Sequence, residues 1–194
     1  MTVLQRSSRI LPDEASDVTE TLTGLLRAEG IDIKTGVTVQ AVEKQNSKVT
    51  VHVRIGNAER TIQGTHLFVA TGRSGNGAGI GLEAQGVELY GNGFVRTDAY
   101  LQTTAPDIYA AGDITGQHLF VYSAAYEGAL AVDNMFGEQP TAKDYTVFPW
   151  VIFTDPQVAG VGLDEKQANE KKIDYDVSVV HMNDVPRALA AHNT

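Results

Sequence analysis

Residues 103–116 read TTAPDIYAAGDITG, and this stretch decides the fold. An apolar run, Ile108-Tyr109-Ala110-Ala111, stops at Gly112-Asp113 and gives way to a polar loop. A glycine lets backbone pass close to another group, and a carboxylate at the carboxyl end of a strand sits where open α/β sheets bind ligands. Downstream, YSAAYEGALAVDNMFG (122–137) predicts a helix that ends at Gly137. Its Ala124, Gly128, Ala131 and Met135 form a narrow face of mostly small residues, able to approach a sheet or a flat ligand closely.

Upstream, HLFVATG (66–72) is a continuous apolar run of the kind buried on both faces of a sheet. Before it the period is two. Val37, Val39 and Ala41 alternate, as do Val49, Val51, Val53 and Ile55, with Thr50, His52 and Arg54 facing the other way. Turns at QNSK and GNAE, with a third strand RTIQ (60–63), make this an antiparallel meander. The chain begins with strand TVLQ (2–5), then a helix from Asp13 to Gly30 with Val18, Leu22, Leu25 and Leu26 on one face, then strand IDI (31–33). This strand–helix–strand unit predicts parallel pairing.

The glycine-rich stretch 73–93 contains no G-x-G-x-x-G, since the third position falls on Ile80 or Leu82, and reads as a surface connection. FVRTD (94–98) and DIYAAGD (107–113) read as strands. EQPTAKDYT (138–146) reads as a boundary. VFPWVIFTDPQVAGVG, the helix DEKQANEKK and the strand YDVSVV then begin something new.

Composition narrows the function classes. The 194 residues carry a formal charge of −9, which argues against a nucleic-acid or anionic-membrane partner. Apolar runs are strand-length, so no membrane span is expected, and MTVLQRSSR lacks the plan of a signal peptide. There is no cysteine, hence no disulfide, thiolate metal site or cysteine nucleophile. His52, His66, His118, His181 and His192 show no ligand spacing, so no metal site is expected. A cytoplasmic location follows by default.

Taken together, HLFVATGR and TTAPDIYAAGDITG resemble the second half of the flavin-dependent pyridine nucleotide-disulfide oxidoreductases, and the likeness runs over essentially the whole chain. The resemblance implies an α/β fold of partial, three-layer, Rossmann-like FAD- and NAD(P)-binding domains with an antiparallel β-meander. The start of an α+β interface domain follows. The implied bounds are 1–73 for the second half of the NAD(P)-binding domain, 74–140 for the second half of the FAD-binding domain and 141–194 for the interface domain. It implies that Ala70-Thr71-Gly72 returns the chain to the flavin domain and that Gly112-Asp113 delivers a carboxylate to the ribityl hydroxyls of FAD. Phe120, Val121 and Tyr122 would lie where backbone amides and a helix N-terminus approach the pyrimidine end of the flavin, favouring negative charge on it. An acidic residue after the first strand would suit the ribose of NAD, but Gln5-Arg6-Ser7-Ser8-Arg9 stands there. Arg6, Ser7 and Arg9 suit the 2′-phosphate of NADPH, which is favoured over NADH.

Within the family, NDVPRALA (183–190), DAYLQTTAPDIYAAGD and FVY resemble the branch that passes electrons from NADPH through FAD and a cysteine pair to mercuric ion, a metal-ion substrate. The dihydrolipoamide-oxidising branch is the alternative. A non-catalytic folded module is the alternative from another class. The family's glycine fingerprints, redox cysteine pair and catalytic His–Glu pair have no counterpart in the sequence. The expectation is therefore a segment of a homodimeric enzyme, with no catalytic residue and no family catalysis of its own.

Overall fold

The computed structural model describes residues 1–191, which form two compact units: residues 1–65 together with those from 149 onward, and residues 66–148. His192 lies outside the described residues.

In the first unit, β1 (Thr2–Leu4) pairs in parallel with β2 (Asp32–Lys34), bridged by α1 (Ser16–Ala28). A βαβ crossover requires that parallel pairing. Gly30, at φ 90°, ends α1 as expected, but the buried stripe differs from the predicted one. Thr19 and Leu22 are buried whereas Val18 and Leu25 are exposed. Thr19 is tolerated inside because its hydroxyl donates to the Ser16 carbonyl at 3.0 Å.

The meander forms as read, with β3 (Val37–Gln45), β4 (Lys48–Ile55) and β5 (Ala58–Gly64) antiparallel in that order. Val37, Val49, Val51 and Val53 make its core, with Leu4, Ile55 and Ile62 packed against them. The predicted Val37/Val39/Ala41 alternation fails. A register shift between Val39 and Ala41 turns the strand, and Val39 is exposed. An extra residue on one strand unpairs the ladder and changes which face the following side chains meet.

Also in this unit, β6 (Pro149–Ile152) and β7 (Val158–Val161) form an antiparallel hairpin. Next comes α3 (Glu165–Glu170), whose N-cap Asp164 accepts from the Gln167 amide at 2.7 Å. YDVSVV forms no strand: its alternating apolar residues find no named strand to pair with among the described residues, and Val177, Val179 and Val180 are exposed. A short helix, α4 (Pro186–Ala191), follows.

The second unit centres on α2 (Val121–Phe136) and two apolar clusters. The helix matches its predicted span, though of the small-residue face only Ala131 is fully buried; Ser123, Glu127, Leu130 and Asn134 are buried beside it. HLFVATG is not the buried strand its composition predicts. No named strand pairs with it among the described residues, and Phe68 is 91% exposed. A strand buried on both faces needs a ladder on each side. FVRTD and DIYAAGD likewise appear as extended segments tied by single bridges, Leu89 to Val95, Thr97 to Thr103 and Gln102 to Tyr109. The glycine-rich connection is less superficial than expected. Val87 is buried, and Gly75 crosses Gly93 so closely that a Cβ on either would lie 2.4 Å from the other's carbonyl oxygen.

Candidate functional site at Gly112–Asp113

Residues 108–111 are extended and alternate between two cores. Ile108 and Ala110 pack with Val87, Val95 and Ala105, while Tyr109 and Ala111 pack with Leu101, Leu130 and Ala131. The segment is held by Thr103 N donating to the Ile108 carbonyl at 2.8 Å and Ala110 N donating to that of Leu101 at 3.0 Å. Burial on both sides is thus realised without a regular ladder, and it fixes where the next residue emerges.

That residue is Gly112, at φ 79°. A Cβ there would stand 2.9 Å from the Cβ of Ala124 on α2, so both the torsion and the space demand glycine. Its N–H donates to Glu127 Oε2 at 2.6 Å, and its carbonyl accepts from Thr115 Oγ1 at 2.9 Å. Gly112–Thr115 is a short 3-10 turn closed by Gly116. Asp113 sits on its outer side, 59% exposed, one oxygen accepting from Arg73 Nη1 at 3.3 Å. Arg73 directly follows Ala70-Thr71-Gly72, so this contact brings the two predicted flavin motifs together across 40 positions. Ala70, Thr71 and Gly72 are themselves exposed, with Gly72 at φ 118°.

At the start of α2, Ser123 is fully buried. Its hydroxyl lies 2.5 Å from the His118 carbonyl and 2.7 Å from that of Phe120, with one proton to give to either, and accepts from the Phe120 amide at 3.1 Å. This fixes the entry of the chain into the helix. Phe120 and Tyr122 stack with ring centroids 5.0 Å apart and planes 10° apart, and Tyr122 also meets Phe148 at 5.2 Å. Val121 is exposed, and the first-turn amides of a 16-residue helix end beside it. These residues suit a polyol–aromatic ligand. An exposed carboxylate lies on a turn whose glycine excludes any Cβ and packs against Ala124 of α2, the helix whose start carries the stacked aromatic pair.

At the other predicted site, in the first unit, the arginines part ways. Arg9 Nη2 donates to the carbonyls of Pro12 at 2.8 Å and Glu14 at 2.7 Å, which orders the loop into α1. The Ser7 carbonyl accepts from the Gly36 amide at 2.8 Å and fastens the loop to the turn after β2. Arg6 is exposed. Nearby, burial and then the neighbouring Asp13 push the Glu14 carboxyl up.

Three residues around α2 in the second unit escaped the sequence reading. Glu127 is fully buried, with Oε1 accepting from the Tyr145 hydroxyl at 2.5 Å. Burial, then that hydrogen bond, raises the Tyr145 hydroxyl well above its ordinary range. Asn134 donates to the carbonyls of Tyr100 and Thr141 and accepts from the Thr141 amide at 2.7 Å. No clear mark singles them out in the sequence: Ser123, Glu127 and Asn134 share one face of α2 with Leu130 and Ala131, a mixed stripe that reads as half-solvated. Residues 138–146, read as a boundary, are therefore strapped to α2 by polar contacts.

Comparison with known proteins accords with this geometry. The family described as pyridine nucleotide-disulphide oxidoreductase matches residues 1–129, and the dimerisation domain of the same enzymes matches 148–194. Over all 194 residues the chain is 39% identical to a mercuric reductase of Staphylococcus aureus and 41% identical to one of Bacillus cereus, covering 36% and 31% of those proteins. A dihydrolipoyl dehydrogenase of Bacillus subtilis is 32% identical, 41% of its length being covered. The chain thus spans about a third of the curated relatives it matches most strongly. Among solved structures, the HOCl-induced flavoprotein disulfide reductase RclA of Escherichia coli superposes with a TM-score of 0.86 at 29% identity, over the whole of this chain and 44% of that one. By sequence and by fold, the chain belongs to the pyridine nucleotide-disulphide oxidoreductase family.

Proposed function

We propose that residues 1–194 form part of an FAD- and NADPH-dependent oxidoreductase of this family, acting on mercuric ion. The observation that carries the flavin reading is the Arg73–Asp113 contact, which brings the Ala70-Thr71-Gly72 turn beside the Gly112-Asp113 turn. Asp113 holds the ribityl hydroxyls, Arg73 orients that carboxylate, and Phe120, Val121 and Tyr122 line the flavin ring. FAD supplies hydride acceptance from the nicotinamide and electron delivery onward. In this reading the protein around Asp113 binds and orients; it moves no proton.

Arg6 and Ser7 take the 2′-phosphate of NADPH, while Arg9 shapes their loop. Residues 1–73, 74–140 and 141–194 are assigned to the nicotinamide, flavin and interface domains, the last forming a homodimer. The mercuric-ion reading rests on relatives near 40% identity over the whole chain. The dihydrolipoyl dehydrogenase likeness keeps dithiol oxidation as the second reading. The chain contains no cysteine, so it supplies no redox pair and no turnover by itself.

Two assays test the proposal. The isolated chain is expected to purify colourless, because it carries no G-x-G-x-x-G for the FAD pyrophosphate. A longer gene product carrying these residues is expected to oxidise NADPH when mercuric ion is added. Turnover with dihydrolipoamide and NAD but none with mercuric ion would replace the first reading with the second.

A further inference from the structure

We infer that Glu127 is the positioning residue of the Asp113 turn, and that the strap at residues 143–145 acts on the flavin site through it. The inference rests on the flavin reading of Asp113. A glutamate with no exposed surface is costly unless its oxygens are satisfied, and here each oxygen has one partner. Oε2 accepts from Gly112 N at 2.6 Å and Oε1 from the Tyr145 hydroxyl at 2.5 Å. Half-buried Lys143, whose ammonium reaches Thr97 Oγ1 at 3.5 Å, has its charged form disfavoured by burial and partly favoured by the Glu127 carboxylate.

The site of the first bond matters. Gly112 sits at φ 79°, a torsion from which many others are open to glycine, so packing against Ala124 fixes where it cannot go but not where it must stay. Of the two hydrogen bonds that Gly112 makes, the one from its N–H is to a charged acceptor and is the stronger kind. Asp113, next in sequence, accepts through its side chain from the exposed Arg73. Its carboxylate is therefore aimed by the backbone, and the backbone is anchored by Glu127. The strap is anchored at the same carboxylate through Tyr145, and again at Tyr126, whose hydroxyl accepts from the Asp144 amide at 2.8 Å.

The test has two arms. In the 194-residue chain, Glu127→Ala is expected to speed hydrogen exchange of the Gly112 amide tenfold or more, beyond any change at amides within α2. Glu127→Gln is expected to keep that protection, since its carbonyl can accept from Gly112 and its amide can donate to Tyr145. Equal acceleration across α2 and Gly112, or none at Gly112, overturns the inference. The second arm uses a flavin-loaded relative in which these residues replace the matching stretch, and titrates FAD into the apo form. Glu127→Ala is expected to raise the dissociation constant about tenfold where Asp113 is present and no more than about twofold in the Asp113→Ala background. Equal losses on both backgrounds overturn the positioning role and leave the flavin reading standing. An Asp113→Ala variant with unchanged FAD affinity overturns the flavin reading itself, whatever the exchange arm shows.

Discussion

Replacing Gly112 with alanine tests the construction of the site most directly. The backbone there is at φ 79°, where an L-residue pays about 1–2 kcal/mol. The added methyl would lie 2.9 Å from the Ala124 Cβ, well inside normal contact, and overpacking of this kind costs about 1–3 kcal/mol. The two effects together predict a loss of about 2–5 kcal/mol, or a melting midpoint lower by about 10 °C or more for a unit of this size. Gly128, one turn further along the same helix, is the control. A Cβ there meets no atom within 4 Å, so Gly128→Ala should gain about 0.5–1 kcal/mol from helix propensity alone. Circular dichroism at 222 nm against urea and temperature measures both variants. Adding Ala124→Gly to Gly112→Ala should recover part of the loss by removing the clash, while the torsional cost remains. A Gly112→Ala protein that melts with the wild type would refute the turn geometry described here, and with it the aim of Asp113.

Further expectations attach to single side chains. Asp113→Ala should weaken FAD by about 10- to 150-fold in a flavin-loaded protein carrying this segment, the worth of a hydrogen bond to a charged group. The melting of the apo form should stay nearly unchanged, because the carboxylate is exposed. Arg6→Gln should erase preference for NADPH over NADH in nucleotide titrations without altering melting. Arg9→Gln should instead lower the melting temperature of the isolated chain, because two carbonyls lose their donor. Tyr145, whose hydroxyl has its folded value raised above the ordinary 10, stabilises below pH 10 and loses that contribution as pH rises beyond it. The stability gap between wild type and Tyr145→Phe, followed by urea titration, should therefore narrow from pH 10 upward.

What the sequence disclosed and what it withheld divide along one physical line. Elements whose partners lie nearby in the chain were legible. The meander forms because Val49, Val51 and Val53 meet Val37 and Ile62 across short turns. The βαβ unit closes within 33 residues. The span of α2 follows from its own apolar run and from Gly137. Elements beside which no named strand lies among the described residues were misread in kind though not in composition. HLFVATG and YDVSVV carry the residues of strands, but no named strand pairs with either among the described residues, so their apolar side chains stand exposed. DIYAAGD lies between these cases. Its alternation between two cores keeps it extended with a single bridge, and Gly112 and Asp113 follow at its end.

The candidate site shows the same division at the scale of side chains. Gly112 and Asp113 were candidates because they stand together with Ala70-Thr71-Gly72 and the helix that follows; alone, a glycine and a carboxylate at a strand end can equally be a turn with a cap. Glu127 was not, because a glutamate on a helix reads as a solvated residue until a partner is known. Its partners lie 15 positions before it and 18 after. Arg9 has a local role that the sequence did not reveal. Its guanidinium is drawn three and five residues along to the carbonyls of Pro12 and Glu14, a local demand that composition does not reveal. A residue chosen for its charge can thus be claimed by the loop that carries it. Glu127 sits out of sight behind the backbone and holds the Gly112 amide, the contact on which the proposed aim of Asp113 depends.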